Sequence, residues 1–303
     1  MSEPAGPASE GTPGGRLFVV ATPIGNLADI TLRALDTLRS VPLIAAEDTR
    51  VTRRLLVRHG IDTPLTSFRA ANTRERLPEL LAHLAAGDDL AIVTDAGTPG
   101  VSDPGAELAA AWGAAGGAVV PIPGPSAALA AVAASGIAGP RWSFEGFLPR
   151  SGRERRERLD RLAVDERGTV LFEAPGRLAG TLVDLAERCG PERPAAVCRE
   201  LTKMHETIER ASLGDLAEAA LAGRILARGE VTIVVGHWAE ARDREVGPAG
   251  AAPDHEAAEA AARARVAALV AEGMGRAEAA RRVARETGLS RRRLYDERSR
   301  DGR

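Results

Sequence analysis

Short apolar runs alternate with amphipathic segments over residues 17–135. The runs are LFVVAT (17–22), LIAAED (43–48), PLTSF (64–68), LAIVTD (90–95) and AVVPIPG (118–124). Between them, segments such as TLRALDTLRSV and TRERLPELLAHLAAG repeat apolar residues every three or four positions, the period of a helix with one buried face. Strand–helix alternation of this kind predicts an α/β fold with a mostly parallel sheet covered by helices. Ligands of such sheets sit outside the carboxyl ends of the strands. The loops TPIGNLAD, EDTR, DAGTPGVSDPG and PGPSA fall at those ends.

A second block of strand candidates follows: WSFEGFL, GTVLFEAP, PAAVCREL, HETIERASL and EVTIVVG. Only a few polar residues separate PAAVCREL from HETIERASL, with no helix between them, so this pair is predicted antiparallel and its sheet mixed. The expected organisation is a disordered tail (1–15), an N-terminal αβ domain (16–136), a second αβ domain (137–238), a linker rich in Gly, Pro and Ala (239–255) and a helical module (256–303). Two αβ layers side by side leave a cleft between them. In the last module, RAEAARRVARETG followed by LSRRRLYDE has the pattern of a helix-turn-helix, with Gly288 ending one helix and Ser290 capping the next.

Composition narrows the class. The 303 residues are 44% hydrophobic and 27% charged, with a formal net charge of −2. Such a balance fits a soluble globular protein and confines any basic surface to local patches. No apolar run approaches the ~20 residues of a membrane span, and the opening MSEPAGPASEGTPGGR lacks a secretion signal's basic head and apolar core. Cys189 and Cys198 are too few for a disulfide framework and form no CxxC pair, so reduced thiols, no metal and a cytoplasmic location are expected. Arginine occurs 39 times and lysine once, as Lys203.

DAGTPGVSDPG is neither a GxxxxGK[ST] phosphate loop nor a GxGxxG turn. Glycines there let a ligand approach the main chain and prolines hold the loop open, so a polar ligand is readable by N–H and C=O groups alone. Asp95 and Asp103 either touch that ligand or cap turns.

TPIGNLADITLRAL, LIAAEDTR, VTDAGTPGVSDPG, VVPIPGPSA, FEGFLPR and RELTKMHE, in this order, resemble the tetrapyrrole methylase-like family of S-adenosylmethionine-dependent methyltransferases. TPIGNLxDIT with AEDTR points to its branch that 2′-O-methylates a cytidine of bacterial 16S rRNA. The resemblance implies S-adenosylmethionine folded into the cleft. Its contacts are expected from Ile24 and Gly25, from Asp95, Ala96, Gly97 and Thr98, from Val101, Ser102 and Asp103, and from Pro125 and Ser126. A helix beginning after Ser102 or Ser126 would suit the cofactor's carboxylate. The resemblance also implies a homodimer. FRAANTRERL and LFEAPGRL depart from the family's His- and Tyr-containing forms, so no role for those residues carries over.

Methyl transfer to a ribose oxygen needs alignment and a proton acceptor or a cation beside the oxygen. The charged motifs facing the cleft offer Glu47, Asp48, Arg50, Arg199, Glu200, Lys203 and Glu206, with Lys203, Asp48, Glu47 and Glu200 as the catalytic candidates. Lys203 is the first, because a partly buried lysine loses its proton where an arginine does not; clamping a phosphate or pairing with Glu200 are the other readings. His205 reads as a sheet-face residue. RNA needs a positive track, for which Arg50, Arg53 and Arg54, then Arg150, Arg153, Arg155 and Arg156, then Arg291, Arg292 and Arg293 are candidates. A solvated, ion-paired helix face is the alternative for residues 148–162, and a protein-docking helix the alternative for the tail. The function expected is a 16S rRNA cytidine-2′-O-methyltransferase acting on the 30S subunit. A tetrapyrrole or diphthamide-type methyltransferase and a non-catalytic RNA-binding protein are the alternatives.

Overall fold

The computed structural model describes residues 14–237, 264–271 and 274–287. The chain divides into two compact units, Met1–Glu245 and Val246–Arg303. In the first unit, five strands form a parallel sheet: β1 (Leu17–Val20), β2 (Leu43–Ala46), β3 (Leu65–Ser67), β4 (Leu90–Val93) and β5 (Val119–Ile122), in the order β3-β2-β4-β1-β5. Each apolar run thus became a strand, shortened where its last residues turn into a loop.

Alternation along these strands sorts the side chains to two faces. Phe18, Val20, Ile44, Ala46, Ala91 and Val93 pack with α1 (Leu32–Ser40) and α2 (Thr49–Arg58). Leu17, Ala45, Leu90 and Ile92 pack with α3 (Thr73–Ala85) and α4 (Ala106–Ala114), closed by Phe68 and Trp112. Both faces are covered, as a parallel sheet requires.

The second sheet contains β6 (Trp142–Phe147), β7 (Gly168–Glu173), β8 (Pro194–Arg199), β9 (Thr207–Ser212) and β10 (Val231–Val235), in the order β6-β7-β10-β8-β9. β6 and β7 are parallel; the other neighbours, β8 and β9 among them, are antiparallel. The predicted mixed sheet is therefore present. Its outer face buries Leu171, Val197 and Ile233 against α6 (Gly152–Val164), α7 (Leu178–Cys189) and α8 (Leu213–Leu221). Its inner face packs Val170, Ala196 and Val234 on Ala128 and Ala131 of α5 (Ala127–Ser135) and on Ile24. The alanine-rich sequence of α5 allows that close approach, so the last helix before residue 136 packs on the second sheet. Cys189 and Cys198 are buried free thiols.

Arg193 is 2% exposed, and its guanidinium donates to the carbonyls of Gly236, Leu162, Asp165 and Arg167. In the second unit, Val266, Ala279, Ala280 and Val283 form a small core that includes the helix Arg276–Thr287, the first half of the predicted helix-turn-helix. Gly288, Ser290 and the second half lie outside the described residues, as do residues 1–13 of the tail and the linker 239–255. No helix among the described residues is long and apolar enough to cross a membrane.

Candidate active site

The loops after β1, β2, β4 and β5 meet at one end of the parallel sheet. The central loop (94–105) is tied to its neighbours by a small set of bonds. Thr22 and Gly97 exchange both backbone hydrogen bonds (2.8 and 3.0 Å), and Thr22 Oγ1 donates to the Thr94 carbonyl (2.9 Å). The Asp48 N–H donates to Asp95 Oδ1 (3.0 Å), and the Asp95 N–H donates to Glu47 Oε2 (3.2 Å). Thr98 Oγ1 reaches the Pro125 carbonyl (3.3 Å). Gly97, at φ +82°, takes a conformation that suits glycine.

These loops form one wall of a cavity of about 410 Å³. Ile24, Ala96, Gly97, Thr98, Val101, Ser102, Asp103 and Ser126 line it. Gly25, Asp95 and Pro125 do not; Asp95 and Pro125 accept the hydrogen bonds from Asp48 and Thr98. Ser126 caps α5, its hydroxyl accepting the Leu129 N–H, and Ala127 also lines the cavity. Of the two helix starts offered, the one after Ser126 is present; Ser102 lies at φ +66°, a left-handed conformation, and α4 starts only at Ala106, after Gly105 at φ +128°.

The opposite wall comes from the second sheet and was missed by sequence reasoning. Phe147, Phe172, Glu173, Ala174 and Pro175 lie at the carboxyl ends of β6 and β7, and Gly229, Glu230, Val231 and Thr232 lead into β10. β10 runs antiparallel to β7, so the amino end of one borders the carboxyl end of the other. Asp103, Glu173 and Glu230 line the cavity, and among the described residues no Arg, Lys or His does. Glu173 is buried and satisfied by Arg177 (3.1 Å), Thr181 Oγ1 (2.6 Å) and the Ala174 N–H (2.8 Å).

At the cavity's edge lies Lys203. Its ammonium bonds Glu200 Oε1 (2.9 Å) and sits 3.2 Å from Glu230 Oε2. Its stem covers Gly25 so closely that a Cβ there would lie 2.4 Å from Lys203 Cγ. Burial works to lower the Lys203 pKa, but the hydrogen bond to Glu200 and the charge of Glu230 outweigh it and raise it. Of the readings offered for Lys203, pairing with Glu200 is the one seen, and both carboxylates favour the charged ammonium. Glu200 is held below the usual carboxylate range by the Glu230 N–H and the Lys203 ammonium.

Asp48 is corrected as a proton acceptor. It caps α2 through the Arg50 N–H and pairs with the Arg50 guanidinium at 2.6 Å, which depresses its pKa strongly. Asp103 and Glu47 move the other way. Burial, then the nearby charges of Glu47, Asp95 and Glu230, pushes Asp103 up to about 6. Burial also raises Glu47, with the charges of Asp95 and Asp48 adding to it and the Asp95 N–H opposing.

Among the arginines, Arg50, Arg53 and Arg54 line one shallow depression on α2 with Thr49 and Val57. Arg150, Arg153 and Arg156 are exposed around the start of α6, Arg153 pairing with Glu157 (2.5 Å). Arg155 is a correction: it is buried, and its guanidinium bonds Asp184 (2.7 Å), Thr181 Oγ1 (3.0 Å) and the Pro149 carbonyl (3.0 Å). It ties α6 to α7. Arg291, Arg292 and Arg293 lie outside the described residues.

Residues 16–217 match the family model of the Tetrapyrrole (Corrin/Porphyrin) Methylases. The chain belongs to the tetrapyrrole methylase family. One relative in this family, "Ribosomal RNA small subunit methyltransferase I" of Synechocystis, is 46% identical over 285 residues, covering 93% of this chain and 96% of the relative. The protein of the same name from Escherichia coli O157:H7 is 42% identical, covering 76% of this chain and 80% of the relative. Among solved tetrapyrrole methylases, the uroporphyrin-III C-methyltransferase of Thermus thermophilus in complex with S-adenosyl homocysteine matches at TM-score 0.53 and 21% identity, covering 75% of this chain and all of that one (100%). A cobalt precorrin-4 methyltransferase matches at TM-score 0.56 and 20% identity, over 73% and 94% of the two chains. At these identities the likeness is one of fold.

Proposed function

We propose that this protein transfers a methyl group from S-adenosylmethionine to the ribose 2′-oxygen of a cytidine in 16S rRNA. The names of relatives 46 and 42% identical to it support the substrate class. The observation that carries the cofactor reading is the cavity lining: the main chain of residues 96–98 with the carboxylates of Asp103, Glu173 and Glu230, and no cationic side chain among the described residues. S-adenosylmethionine bears a sulfonium and an ammonium against one carboxylate, so an acidic wall complements it. When bound, it supplies an electrophilic methyl group. The backbone of residues 96–98 reads its polar edges, and the start of α5 beneath Ser126 suits its carboxylate.

The protein's own contribution is alignment and proton management. Lys203, fixed as an ammonium by Glu200 and Glu230, stabilises negative charge as it develops on the attacking oxygen. Asp103, a carboxylate of the cavity wall with a pKa near the working pH, accepts the hydroxyl proton. Alignment of two bound reactants supplies effective molarities of about 10⁵–10⁸ M. The arginines of α2 and of the α6 start hold RNA, for which a small macrocyclic substrate would have no use. We place the protein in the cytoplasm with the ribosomal subunit, and as a pair of copies, a state that sedimentation velocity would test.

Transfer of labelled methyl to 30S subunits and to naked 16S rRNA, followed by nuclease digestion, tests the reading. The expected product is 2′-O-methylcytidine. Absence of label from both RNAs, with the cofactor bound, would overturn it.

A further inference from the structure

A second cavity, of about 720 Å³, opens beside the first. Its walls are the turn between β8 and β9 and the loop 226–229, and it shares Gly229 with the acidic cavity. The Lys203–Glu200–Glu230 bridge stands between the two. The volume lies in the range of small-ligand sites.

Its charges are unevenly matched. Glu200 accepts from Lys203 and from the Glu230 N–H (2.8 Å), and Glu206 accepts from the Thr202 N–H (2.6 Å), so each carboxylate has a partner within the turn. Those bonds hold Glu200 (φ +50°) and Thr202 (φ +68°) in a left-handed conformation that non-glycine residues seldom adopt. Neither Arg199 nor Arg228 forms a salt bridge among the described residues, although the charge of Arg199 contributes to holding Glu200 low. Arg199 is 6% exposed; its terminal nitrogens donate to the Arg228 carbonyl (2.9 Å) and Thr207 Oγ1 (3.3 Å), while its buried Nε has no hydrogen-bond partner. Met204 (93% exposed) and Leu226 (62%) add apolar surface to the same walls.

We propose that this pocket holds one nucleotide of the RNA substrate, adjacent to the one being methylated. Arg199 and Arg228 take its phosphate, and Met204 with Leu226 take its base. Guanidinium groups without a salt bridge beside an apolar shelf are what a phosphate linked to a flat base requires. The inference rests on the RNA-methyltransferase reading.

The test compares wild type, Arg228→Glu, Arg199→Lys and Met204→Ala/Leu226→Ala in methyl transfer to 30S subunits or naked 16S rRNA, whichever wild type modifies, at several salt concentrations. Arg228 is exposed, so its reversal leaves folding intact. Arg199→Lys keeps the charge and removes Nε. Both are expected to raise KM for RNA about tenfold and to reduce the salt slope by about one, with kcat and cofactor affinity within about twofold. The apolar double variant is expected to raise KM about threefold without changing the slope. Wild-type KM and salt slope in both arginine variants, while wild type methylates RNA, would overturn the pocket assignment alone. If wild type methylates no RNA, the function reading itself falls and the pocket assignment with it.

Discussion

The two neighbouring cavities differ in charge. One is walled by carboxylates and main-chain loops; the other sets two guanidinium groups against two carboxylates and adds two exposed apolar side chains. Net charge over the whole chain is −2 and hides both. The lesson is that a reaction between a cationic donor and an anionic polymer needs opposite potentials within one site, kept apart by something of mixed sign. Here Lys203 between Glu200 and Glu230 is that divider, and the protein's only lysine occupies it.

The sharpest way to break this comparison is Lys203→Ala. Methyl transfer is expected to fall at least about a hundredfold, with cofactor affinity changed less than about threefold. Equal turnover of the variant in a labelled-methyl assay would remove the divider from the mechanism. Next in size is Asp103→Asn. Turnover is expected to drop about a hundredfold, and the acidic limb of the wild-type kcat profile, centred near 6, is expected to vanish. The sign for stability is opposite. A carboxyl raised in the folded state stabilises below its unfolded pKa and loses that contribution as pH rises through the folded value. Asp103→Asn should therefore unfold later than wild type at pH 8, by about 1–2 kcal/mol after solvent screening, and not at pH 3. Denaturant melts at both pH values check this.

A smaller effect is expected from Gly25→Ala. The new Cβ collides with the Lys203 stem, so the ammonium must move, costing about tenfold in kcat with the melting temperature within a few degrees; unchanged kcat would mean Lys203's position is not critical. The smallest effect on catalysis comes from Arg155→Ala. It should destabilise the fold by about 1–2 kcal/mol by removing the buried hydrogen bonds that tie α6 to α7, yet leave the salt slope of RNA binding as in wild type. A flatter slope at low temperature, where the variant is folded, would restore Arg155 to the RNA-contacting set.

Much of the architecture was legible because each apolar run lies on a strand buried on both faces or on its edge, and helical spacing between runs left few other arrangements. One wall of the acidic cavity was legible too, since Gly97 and its loop stand at the end of β4. The facing wall was not, because strand periodicity does not say which end of a strand borders a ligand. Arg155 was misjudged by counting charges. Its spacing with Leu159 and Leu162 places it on the buried stripe of α6, a helical pattern that overrides composition. The pairing of Lys203 with Glu200 was legible from their spacing, whereas its second partner, Glu230, is distant in the chain and leaves no trace in local sequence.

β10 is the last strand of the described residues, yet it occupies the middle of its sheet, between β7 and β8. During synthesis the two earlier strands must therefore wait with open edges until Val231–Val235 arrives to join them. Glu230 and the rest of that cavity wall come with it. A nascent chain shorter than this has neither a closed second sheet nor a place for its cofactor, so assembly of the site is a late event in the life of each new molecule.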